Sequence, residues 1–187
     1  MDLSLTDRRI AEAISTGRAG MQAFEGAMQL LANFVGPNGE RFSFKHPVSG
    51  LQMPLTTTEV SERVQAITEL LSSLSSIHTT VLIPEGEIAD LTSRTGEFKT
   101  HADKLIAAAR EFATAGDVSA LDVSGLSASN TAGQSIDFSS LVAAVFNPLQ
   151  SLLTTVRKLF LDRDNAEIKG LAETIAYMEE VRAKQRS

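Results

Sequence analysis

Between residues 138 and 160 the chain reads FSSLVAAVFNPLQSLLTTVRKLF and carries no charge before Arg157. Apolar residues fall at Phe138, Leu141, Val142, Val145, Phe146, Leu149, Leu152, Leu153, Val156, Leu159 and Phe160. Steps of three and four make a broad apolar face at the helical period. Such a face needs several neighbours, which predicts an all-helical fold with this segment as its central helix. An ordinary solvent-facing helix would carry lysine and glutamate on its other side. Here that side is polar but uncharged. Ser139, Ser140, Asn147, Gln150, Ser151 and Thr154 are therefore expected to be partly covered, by the chain's own linker or by another protein chain. Pro148 removes a backbone hydrogen bond and predicts an interruption of the helix.

The same periodicity recurs along the chain. Ile10, Ile14, Gly17, Met21, Phe24, Met28, Leu31 and Val35 alternate steps of four and three, a sustained heptad seam in a helix over residues 5–34. At 1.5 Å per residue this is a rod of about 45 Å. Gly17 lies in the seam and predicts a close helix crossing. Thr56 and Glu59 form a capping box for a second helix, residues 57–82, with Val60, Val64, Ile67, Leu71, Leu74, Ile77 or His78, and Val81 as its seam. Pro84 suits the first turn of a third, residues 84–115, with Ile88, Leu91, Thr95, Phe98, Ala102, Leu105, Ala109 and Phe112 buried. The short connection predicts an antiparallel hairpin of the second and third helices. Asp137 caps the fourth helix, residues 137–163. Asp164 with Glu167 resembles a further capping box and predicts a break, with a fifth helix over residues 165–185. Its seam is Ile168, Leu171, Ile175, Met178 and Val181.

Two stretches depart from the helical period. Residues 40–55 alternate apolar and polar positions through Phe42, Phe44, Leu51, Met53 and Leu55 around a turn at HPVSG, the pattern of a small β-hairpin. Two strands alone are marginal in water, so its apolar face must rest on the helices or on a partner. Phe42, Phe44, Leu51 and Met53 thereby join the six polar residues above as candidate interface positions. Residues 116–136 are small and polar and predict a flexible linker. The expected architecture is a single all-α domain over residues 1–187. It is an elongated four- to five-helix bundle with coiled-coil-like helices and a small β-hairpin at one end.

The chemistry expected of the chain is sparse. There is no cysteine, which excludes disulfides, thiolate metal sites and thiol catalysis. The three histidines, His46, His78 and His101, are dispersed. Glu97 and His101 share a helix face but lack the repeated partners of a metal-binding bundle. Asp162, Asp164 and Glu173 mimic part of a calcium loop, yet Ala166 and Glu167 stand where that loop needs an oxygen ligand and a glycine. No phosphate-cradling or nucleophile-elbow motif occurs. A net charge of −6 disfavours nucleic acid. We therefore expect no enzymatic activity, no cofactor and no metal. The expected role is a structural or adaptor subunit acting through helix-mediated protein–protein contacts in an oligomer, of which a secreted or virion component is one form. The alternative is a membrane-active protein exposing residues 138–156 to lipid. The N-terminus lacks the apolar run of a secretory signal, so the expected location is the cytoplasm, or outside the cell by export without a cleavable signal.

Overall fold

A computed structural model describes residues 3–45, 48–79 and 82–186. His46 and Val81 lie outside the described residues, as do the side chains of Phe44 and His78. Among the described residues the chain forms four α-helices: α1 Leu3–Asn33, α2 Thr57–Ser73, α3 Glu85–Ala115 and α4 Phe138–Arg186. Strands β1 Ser43–Lys45 and β2 Gln52–Pro54 lie between α1 and α2. Strands β3 Val118–Asp122, β4 Ser127–Asn130 and β5 Ser135–Asp137 lie between α3 and α4.

The closest helix pair is α1 with α3. Gly17, Gly20 and Gly26 face Thr95, Phe98 and Ile106 in turn, so the two helices run parallel. A Cβ at Gly17 would stand 3.3 Å from the Thr95 methyl and 3.1 Å from Leu71, so the close crossing expected there is present. Helix α2 runs antiparallel to α1. Its Ser61 hydroxyl donates to Glu25 at 2.8 Å, and Leu71 reaches Gly17. Helix α4 packs antiparallel on α3, where the Thr155 hydroxyl donates to Asp90 at 2.8 Å and Lys158 pairs with Glu87.

Two expectations about this arrangement are corrected. Helices α2 and α3 are antiparallel, but each packs chiefly on α1 instead of forming a hairpin with the other. The centre is the α1–α3 pair, not residues 138–160. Glycines let those two backbones approach, which the bulky face of α4 cannot do.

Helix α2 also stops early, and residues Leu74–Thr79 form a 3-10 segment. The serines explain it. Ser75 and Ser76 donate to carbonyls three residues back, favouring the tighter winding. At the other end of α2 the Thr56 hydroxyl accepts from the Glu59 amide, as its capping sequence predicts.

At one end of the array four phenylalanines meet. Phe34 closes α1, Phe42 precedes β1, Phe112 is near the end of α3 and Phe138 opens α4. Their ring centroids lie 5.5 to 6.4 Å apart in tilted and edge-to-face pairs. This cluster seats the β1–β2 hairpin on the chain's own helices.

Residues 116–136 are not a linker. They form an antiparallel sheet of order β3-β4-β5. Asp122 accepts from the Gly125 amide in the first turn. Asn130 organises the second turn, where Gly133 takes a φ of 82°. Buried Asn130 donates to the Phe112 carbonyl and to the Gln134 side chain, and accepts from the Ala132 and Gln134 amides. Every polar group on that side chain is satisfied, and the sheet is pinned to the end of α3.

Helix α4 continues through Pro148 and through residues 162–165, without the expected interruption or second start. The proline withholds one hydrogen bond from Ala144. Past it, the sequence offers strong helix formers, and nothing lies nearby for the chain to turn back onto. The Asp164–Glu167 pair therefore sits inside a helix and not at its cap.

Candidate functional site

Two apolar surfaces stand out, one on the helical array and one beyond it. The first is a groove of about 610 Å³ between α2 and α4, floored by α1. Met21, Phe24 and Met28 form the floor, with Val64 on one wall and Phe146 and Leu153 on the other. Phe146 leans edge-on against Phe24 at 5.6 Å and stays half exposed. The second is the far end of α4. Its last buried residue is Leu159, near the start of α3, where Lys158 pairs with Glu87. The helix runs on for another 27 residues, to Arg186, about 40 Å. Along it, Ile168, Leu171, Ile175 and Met178 are 66%, 63%, 49% and 57% exposed.

The ten candidate interface residues separate into three groups. Phe42 is fully buried in the phenylalanine cluster and offers no surface, a correction of its expected role. Leu51 is exposed and Met53 half-buried, while the Phe44 backbone pairs with Met53. The polar residues of α4 are not covered by residues 116–136, which are occupied in their own sheet. Ser139, Ser140, Asn147, Gln150 and Thr154 are exposed and Ser151 is half-buried. Their charge-free character has a local cause. Ser151 and Thr154 donate to the Asn147 and Gln150 carbonyls of their own helix. Ser139 and Ser140 donate to Asp137 at the helix start. Of the ten, Gln150 lines the groove.

The electrostatics of α4 are those of a well-terminated helix. The hydroxyls of Ser139 and Ser140 hold the Asp137 carboxyl below its ordinary 3.8. Hydrogen bonding and charge from Glu87 raise Lys158 above its ordinary 10.5. Among the described residues no three histidine, aspartate or glutamate side chains converge as a metal site would require.

The apolar stripe on α4 is visible in the sequence as the seam Ile168, Leu171, Ile175, Met178 and Val181. Its periodicity suggests a core helix, because periodicity does not reveal whether a neighbour exists. The groove is built from seam residues of three helices, and its opening depends on how those helices are spaced.

Comparison with known proteins finds no match to a family model, a curated protein or a solved structure.

Proposed function

We propose that the protein is a non-enzymatic structural or adaptor subunit that acts through helix-mediated contacts in an oligomeric assembly. One observation carries this reading: an apolar stripe at heptad spacing on a helix that has left the array behind. A lone helix of this length is marginal in water, and a stripe of large exposed apolar side chains marks an interaction surface. The apolar groove beside α2 gives a second place for a partner helix. Light scattering in the high-micromolar range tests the reading. The mass should exceed the 20.0 kDa of one chain, and a single-chain mass would count against it.

A second reading has one specific support. Helix α4 is long and apolar enough, by length and composition, to cross a membrane. A third of that apolar stretch is buried in the array, Val145 and Leu152 among it, so a full span requires α4 to leave its neighbours. Vesicles that stay intact when mixed with the protein would remove this alternative.

A further inference from the structure

We infer that the exposed end of α4 pairs with the same segment of a second copy, antiparallel and centred near Glu173. The inference rests on the assembly reading above and names its partner. Ile168, Leu171, Ile175 and Met178 occupy alternating a and d positions of a heptad. The same register places Asp164 at the preceding d position and Arg182 at the following a position. In a parallel pair each residue meets its own counterpart, so Asp164 faces Asp164 and Arg182 faces Arg182. Both contacts are repulsive.

An antiparallel pair sets a against d. Centred on Glu173, each residue before it faces one equally far after it. Ile168 then meets Met178, Leu171 meets Ile175, and Asp164 meets Arg182 at each end. The apolar centre closes and the ends carry opposite charge. Small Ala172 and Thr174 lie beside the centre and admit close approach. Asp164 accepts from Arg163 of its own chain through Oδ1, and Arg182 of the second copy adds to that carboxylate's pairing.

The dimensions agree. Residues 164–182 lie wholly past Leu159, so two arrays can pair their extensions without meeting. A contact of about 30 Å between two helices buries on the order of 1,000 Å² in total, the lower end for specific interfaces. The pair should therefore be reversible by dilution.

A charge-reversal cycle on the full chain tests this by light scattering over a concentration series. The wild type should approach twice the 20.0 kDa chain mass. Asp164→Arg and Arg182→Asp should each weaken pairing about tenfold, since each sets like charges together at both ends. The double variant should restore wild-type pairing. Leu171→Asp should give the single-chain mass with an unchanged thermal transition, because Leu171 lies outside the core. If none of the charge variants alters pairing, the antiparallel arrangement is overturned. A mass above one chain that Leu171→Asp leaves unchanged overturns this pairing and spares the assembly reading. A wild type of single-chain mass overturns both.

Discussion

Gly20 of α1 lies against the ring of Phe98 in α3, so closely that a methyl carbon in its place would stand 2.7 Å from two ring carbons. Alanine is otherwise the better helix former by about 1 kcal/mol. Overpacking at this contact should outweigh that gain, and Gly20→Ala should destabilise the fold by about 1–3 kcal/mol. Gly170, with nothing within 4 Å, is the contrast: Gly170→Ala should leave global stability unchanged and raise helix content. Urea unfolding and circular dichroism check both. A Gly20→Ala protein as stable as wild type would remove the close approach as the organiser of the α1–α3 pair.

Asn130 ties the β4–β5 turn to the last turn of α3. Asn130→Ala orphans the amides of Ala132 and Gln134 and the carbonyl of Phe112, and should cost about 1–3 kcal/mol. Thermal unfolding measures the loss, and amide exchange in residues 127–137 should accelerate with it. An unperturbed variant would show that the sheet is held by its apolar contacts alone.

Phe138 touches Phe34, Phe42 and Phe112 and has no exposed surface. Phe138→Ala should destabilise the protein by about 3–5 kcal/mol. The same cluster seats the β1–β2 hairpin, so backbone signals of residues 43–54 should shift in the variant's NMR spectrum. A hairpin whose signals stay in place would be anchored elsewhere.

Stability should fall at both ends of the pH scale. Hydrogen bonds from Ser139 and Ser140 depress Asp137, and backbone amides at Glu40 and Asn38 depress Glu40. Each contribution is fully present above the ordinary values of 3.8 and 4.5 and is lost as pH falls through the folded-state values. Asp137→Ala should therefore flatten the acid side of a melting-temperature profile. Lys158 is raised, so its contribution is complete below 10.5 and is lost as pH rises through its folded value. A Lys158→Met profile that falls as steeply as wild type above pH 10.5 would remove the Lys158–Glu87 pair from that role.

Helix periodicity was an accurate guide to burial in α3 and in α1 as far as Leu31, whereas Val35 and the seam from Ile168 to Met178 are exposed. All eight seam positions of α3, from Ile88 to Phe112, are its buried residues, and Ile10 through Leu31 follow the same rule in α1. The three-stranded sheet was hidden because its central strand, Ser127–Asn130, lacks the β-branched and aromatic residues that mark strands, and its neighbours carry one each, Val118 and Ile136. Its signal lay in the turns, Asp122 to Gly125 and Asn130 to Gly133, an acid or amide followed three residues later by glycine. The polar side of α4 is not covered by the chain's own residues 116–136. Serine and threonine hydroxyls there bond back to their own helix, so the lack of charge did not require a cover. Ile168 to Met178 form an exposed stripe and not a core seam, because periodicity carries no information about whether a neighbour exists.

Amide hydrogen exchange of residues 165–182, followed at high and at low protein concentration, tests most directly whether α4 extends in order to bind. The account predicts protection approaching that of α1 and α3 at high concentration and its loss on dilution. Fast exchange at every concentration, with the core still protected, would contradict it.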